Sequence, residues 1–193
     1  MTFTLFTGWT QSLPSSARNA PRLLVSFSAA FWPPAVCQEF KAAGGAFAAN
    51  NRSLSAERAR AVSLSHRDWV RTDIARTRFQ QEWRALMAEV DVVLCPPIPV
   101  PAFAHDHSAP QHEQRLAVDD TPYPYPDVGL VWAGPATSAG LPAAVVPIDR
   151  GDSPLPIGVQ ILGPYLEDRT VLAFAAGIER EFGGFVPPPG YRG

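Results

Sequence analysis

The stretch Trp132–Asp168, W-A-G-P-A-T-S-A-G-L-P-A-A-V-V-P-I-D-R-G-D-S-P-L-P-I-G-V-Q-I-L-G-P-Y-L-E-D, holds two continuous apolar runs, Ala143–Ile148 and Ile157–Leu162, bounded by proline and glycine. Runs this short and unbroken predict strands covered on both faces in a buried, largely parallel sheet. Gly140, Leu141 and Pro142 predict a turn that aims the first run into the sheet, because glycine accepts positive φ and proline sets the next step. Gly158 inside a strand implies close approach of another backbone or side chain. Gln160, flanked by apolar residues, requires a buried hydrogen-bonding partner, and a satisfied structural amide is the preferred reading over substrate contact. Glu167–Phe182 then predicts a helix with Val171, Leu172, Ala175, Ile178 and Phe182 on one face, acids at its start, and Gly183 and Gly184 at its end.

Upstream, Asp91–Leu94 is a short β-branched run closed by Pro96, Pro97, Pro99 and Pro101, which predicts a strand ending in a stiff extended loop. Between Ser55 and Val90 apolar residues recur mostly at three- and four-residue steps, the period of an amphipathic helix, with a break expected near Ser63–Ser65. The arginines of this region read as a solvated face paired with Glu57, Asp68, Asp73 and Glu82. Leu23–Phe31 is an apolar run stopped by Pro33 and Pro34, and Ala35–Ala43 predicts a short helix stopped by Gly44 and Gly45. Residues 1–21 have the composition of a loosely ordered arm. Residues 102–127 show no period and read as a surface excursion.

With 193 residues, 46% hydrophobic and 10% aromatic, the chain has the means to fill a globular core. A net charge of −2 excludes the electrostatic footprint expected of a nucleic-acid or anionic-membrane surface. No apolar run reaches the roughly 18 to 20 residues of a membrane span, and the N-terminal residues lack the positive region of a secretory signal. Cys37 and Cys95 lie far apart without the spacing of a zinc or redox pair, so a reducing, cytoplasmic setting is expected.

Taken in order, the long helix, D-V-V-L-C-P-P, the excursion, G-L-P with its strand, L-P-I-G-V-Q and the E-D helix resemble the C-terminal part of amidase signature family hydrolases. The resemblance covers His66–Phe103 and Gly129–Phe182. It implies a partial α/β/α sandwich with a mixed, largely buried sheet, in which residues 22–193 form the C-terminal portion of an amidase domain. The implied substrate is a small carboxamide, and no cofactor is implied. The proline loop resembles a family loop lining the acyl side of the substrate cleft, which would put Cys95, Pro97 and Ile98 near substrate, with Trp132 a further candidate.

Catalysis in the family uses a serine from a G-G-S-S-G-G type segment, a second bridging serine and a desolvated lysine. Here Ser15 and Ser16 form the only Ser-Ser pair, with no flanking glycine, and Lys41, the only lysine, follows them instead of preceding them. No catalytic residue is carried over, and the expected product is an inactive fragment. A non-catalytic scaffold or partner-binding protein is the alternative, and a site rebuilt from Cys95 or the histidines is the third. An exposed sheet edge is expected to favour self-association. His105, Asp106, His107, His112 and Glu113 carry metal-ligating letters but no rigid spacing, and read as solvated. Ser65, His66 and Asp68 carry triad letters but, as neighbours on one helix, cannot converge as a triad must; His66 and Trp69 are expected to pack or hydrogen-bond at the helix start.

Overall fold

The computed structural model describes residues 3–5, 29, 32–51, 54–107, 114–149, 155–187 and 190–191. In chain order they form β1 (Phe3–Leu5), α1 (Pro34–Ala46), α2 (Leu54–Ala61), α3 (His66–Met87), β2 (Val92–Cys95), β3 (Arg115–Val118) and β4 (Thr121–Pro124). These are followed by α4 (Tyr125–Leu130), α5 (Ala133–Ala139), β5 (Ala143–Asp149), β6 (Ile157–Leu162) and α6 (Asp168–Phe182).

Four strands make the central sheet in the order β1-β2-β6-β5. Only β1 and β2 run parallel; β2 pairs antiparallel with β6, and β6 antiparallel with β5. The sheet is therefore mixed, and the expectation of a largely parallel one is corrected. The link 150–156 is shorter than the dozen or so residues a parallel crossover needs, so β5 and β6 must turn back on each other. An unbroken apolar run records burial and says nothing about direction.

Residues opposite each other in an antiparallel pair share a face, which divides the sheet cleanly. Val92, Leu94, Ile161, Ala144 and Val146 meet Val171, Phe174, Ala175 and Ile178 of α6. On the other face, Val93, Cys95 and Leu162 meet Phe79, Trp83 and Met87 of α3, together with Trp132, Ala136 and Ala139. Helices on both faces complete an α/β/α sandwich.

Coverage of the second face stops short of the edge. Val145 lies opposite Gln160 on β5 and is 56% exposed, so the expectation of strands covered on both faces fails for β5. Pro147 lacks an N–H and sits in this edge strand, where a missing ladder donor is tolerated.

The helical break falls at 62–65, where the Ser65 hydroxyl accepts from the Asp68 N–H at 3.1 Å and donates to Asp68 Oδ2 at 2.7 Å. α1 runs through Gly44 and Gly45 to Ala46 instead of stopping there. Gly44 serves a close helix crossing, since a Cβ there would stand 3.2 Å from the Ala59 carbonyl oxygen. On α6, Val171 and Ala175 are buried, whereas Leu172 and Phe182 are 63% and 60% exposed and do not join the packed stripe. Gly140 ends α5 at φ 71°, a conformation that favours glycine.

The excursion contains elements that its lack of period hid. β3 and β4 form a hairpin whose turn residues Asp119 and Asp120 both have positive φ, and α4 follows directly. Phe3–Leu5 of the expected arm form a strand, while the rest of 1–21 and most of Leu23–Phe31 lie outside the described residues. No helix among the described residues is long and apolar enough to cross a membrane.

Candidate functional site

β2 is a four-residue strand with both neighbours paired, so its last residue, Cys95, emerges at the centre of the sheet only 1% exposed. Pro96 follows and carries the chain out of the ladder, because it has no N–H to donate. Gln160 lies directly opposite Cys95 on β6. Its side-chain Nε2 donates to Cys95 Sγ at 3.2 Å and to the Trp132 carbonyl at 2.9 Å. This supplies the buried partner that an amide among apolar neighbours requires. Trp132, 4% exposed, sits in the turn between α4 and α5.

Three residues far apart in sequence thus meet at one buried node: Cys95, Trp132 and Gln160. Pro97 and Ile98 lie beyond it and are half-buried. Pro97 Cγ packs over Gly158, 3.9 Å from where a Cβ would stand, and Val145 Cγ1 would stand 3.2 Å away. The close approach inferred from a glycine in a strand is therefore made by the Val145 side chain and by the Val146 carbonyl oxygen, which would stand 3.3 Å away.

Burial pushes the Cys95 thiol pKa up, and the hydrogen bond from Gln160 takes back only part of that shift. A thiol held neutral is a poor nucleophile. In the native protein, a small disulfide reagent at mildly alkaline pH is expected to modify half-buried Cys37 first, with Cys95 reacting only as the protein unfolds. Fast native-state labelling of Cys95, read by peptide mass spectrometry, would contradict this.

The other constellations disperse. Ser15 and Ser16 lie outside the described residues, and Lys41 is exposed on α1. His66 stacks on Trp69 with ring centroids 6.5 Å apart, and Ser65 is engaged as the helix cap. His105 and His107 are exposed with rings 5.8 Å apart, whereas His112 and Glu113 lie outside the described residues. Among the described residues, no three His, Cys, Asp or Glu side chains group as metal ligands.

The sequence reading missed a charged junction. Arg60 and Glu57 pair at 3.4 Å and Arg76 and Asp73 at 2.9 Å, but Arg58 is half-buried beside Asp127 of α4 and does not belong to the solvated series. Burial raises the Asp127 carboxyl above its ordinary range, against the pull of Arg115 and Arg58. Burial likewise lowers Arg58, with Asp127 opposing. No local pattern joins positions 58 and 127, so only folding reveals that each feels the other's charge.

Because the folded Asp127 pKa lies above its unfolded value, ionising it costs stability. The penalty is absent below the unfolded carboxylate range and grows as pH rises through the folded value. By NMR, Asp127 is expected to titrate above a normal aspartate, and Arg58→Met or Arg115→Met to raise it further. A normal midpoint, or a fall in either variant, would refute this balance.

Comparison with known proteins converges on this architecture. Residues 44–172, more than half of the chain, match the family model Amidase. The A subunit of glutamyl-tRNA(Gln) amidotransferase from Gluconobacter oxydans is 30% identical over 112 residues, covering 58% of this chain and 20% of that protein. Its counterpart from Maricaulis maris is 34% identical over 121 residues, covering 63% and 22%. The chain therefore spans about a fifth of the length of the curated relatives it matches. An amidase crystal structure superposes with a TM-score of 0.63 at 20% identity, covering 89% of this chain and 36% of that one, which shows a shared fold. With its helix-covered mixed sheet and a family match running from the end of α1 into α6, this chain belongs to the amidase family.

Proposed function

We propose that these residues form the C-terminal portion of an amidase-type hydrolase unit, whose reaction converts a small carboxamide and water to a carboxylate and ammonia or amine. The observation that carries this reading is the family match over 44–172, laid on an α/β/α sandwich. Residues 1–193 by themselves are not catalytic in this proposal. A serine hydroxyl needs a base to take its proton, and a lysine can serve only when burial strips its charge. Lys41 is exposed, and Ser15 and Ser16 lack the glycines that let a backbone close around an oxyanion.

In this reading Pro97 and Ile98 present the apolar wall on the acyl side of the cleft. Cys95 and Trp132 stand behind them as its backing, since both are buried. No cofactor or metal enters the proposed chemistry, and a neutral amide suits a chain with no basic excess.

The test is ammonia release from simple amides such as acetamide and benzamide, run beside labelling with a serine-directed fluorophosphonate. The expected result is no turnover and no label above a heat-denatured control. Turnover by residues 1–193 alone, lost on Lys41→Ala, would overturn the inactive reading.

A second reading, a non-catalytic scaffold that binds a partner or itself, is favoured by one observation. β5 is an edge strand carrying Val145 at 56% exposure. Unpaired edges template association. Size-exclusion chromatography with light scattering is expected to show concentration-dependent self-association that Val145→Lys reduces. A monomer at high concentration would rule out the edge as a self-association surface.

A further inference from the structure

We propose that Gln160 is the positioning residue that sets where the proline loop leaves the sheet, by tying the last residue of β2 to the α4–α5 turn. The geometry rests on one carboxamide group. An NH2 has two protons, and here one goes to Cys95 Sγ at 3.2 Å and the other to the Trp132 carbonyl at 2.9 Å. Gln160 is 5% exposed, so little water competes for either bond. Its own backbone is held between β2 and β5, which makes it a fixed point for both partners.

The loop it anchors cannot anchor itself. From Pro96 to Pro101 only Ile98 and Val100 have a backbone N–H, so the usual ladder or turn hydrogen bonds are largely closed to it. Prolines also make such a segment stiff, and a stiff arm carries any tilt at its base to its far end. A base held by a side chain therefore fixes Ile98 as well as Cys95. The Trp132 bond adds a second constraint, because the same group that holds the loop also holds the turn between α4 and α5.

That the loop walls a substrate cleft rests on the amidase reading above; the anchoring itself does not. The two are tested apart, using the full chain. Gln160→Met keeps volume and removes both donors, and Gln160→Glu keeps shape while placing a carboxylate against the Trp132 carbonyl. Hydrogen exchange in peptides spanning 92–104 and 130–140 is expected to accelerate about tenfold in both variants, with the α6 peptide 168–182 unchanged. In Gln160→Met the Cys95 thiol, followed by the 13C shift of its Cβ, is expected to titrate higher than in the native chain, because a donor has been lost.

Unchanged exchange in the first two segments would overturn the proposal. So would equal acceleration across all three, which would make Gln160 a general core residue. Should neither variant fold, the native protein still decides: both side-chain NH2 protons of Gln160 must exchange far more slowly than those of exposed Gln81, and equal rates would end the idea. Benzamide titrated onto the native chain addresses the amidase reading separately. No shift at Ile98 would count against the cleft wall while leaving the exchange result standing.

Discussion

Replacing Phe79 with alanine is expected to lower the unfolding free energy by about 3–5 kcal/mol, the range for emptying an aromatic site in a packed core. Phe79 is 1% exposed on α3 and meets Trp83 edge-on, with centroids 6.2 Å apart and planes at 86°. That pair adds about 0.5–1.5 kcal/mol beyond simple burial. Because a domain is typically stable by only about 5–15 kcal/mol, the loss removes much of the margin. It falls on the core that also holds Cys95 and Trp132, so loosening of the node around Gln160 should accompany it. Urea unfolding followed by tryptophan fluorescence measures the effect, with Phe79→Leu showing a smaller one. A loss below about 1 kcal/mol for Phe79→Ala would mean that α3 does not pack on the sheet as described.

The second large effect concerns one missing methyl group. Gly163 follows β6, is buried, and donates its N–H to the Pro142 carbonyl at 3.0 Å. A Cβ there would run into Cγ2 of Val171, the 2%-exposed residue through which α6 meets the sheet. The backbone is pinned on one side and the helix on the other, so Gly163→Ala is expected to cost about 1–3 kcal/mol by overpacking. Adding Val171→Ala should recover part of the loss, giving a double variant less destabilised than the sum of the singles. Strict additivity would show that the two residues do not meet.

Much of this architecture was legible locally. The periodicity of 55–90 locates a long helical region, and a run of that length is expected to break near Ser63–Ser65; the structure adds that Ser65 caps the second helix. The helix at the C-terminal end is also legible, but its packed stripe is narrower than its apolar pattern: Leu172 and Phe182 are apolar and exposed. The hairpin at 115–124 is not legible in the sequence because prolines and paired aspartates break its alternation, although two aspartates in succession can take the positive φ that its turn requires. Gly44 is ambiguous for a related reason. Glycine marks both helix ends and close crossings, and only the neighbouring α2 distinguishes them here.

The candidate site was legible as a set of residues and not as an arrangement. Gln160 announced its need for a partner, since an amide among apolar neighbours cannot stay unbonded at low cost. Its partners lie 65 and 28 positions away, and no sequence separation encodes which chain segments will meet. The same holds for Arg58 beside Asp127, whose letters suited a solvated helix face equally well.

By itself, the sequence determined which segments are apolar, where helices begin and break, and which family the chain resembles, because these follow from side-chain chemistry and spacing along one segment. Strand direction, the uncovered face at Val145, the burial of Cys95 and Trp132 and the meeting of both with Gln160 were decided only by the tertiary structure. Burial and hydrogen-bond partnership depend on what lies across space from a residue, and that is a property of the packed whole.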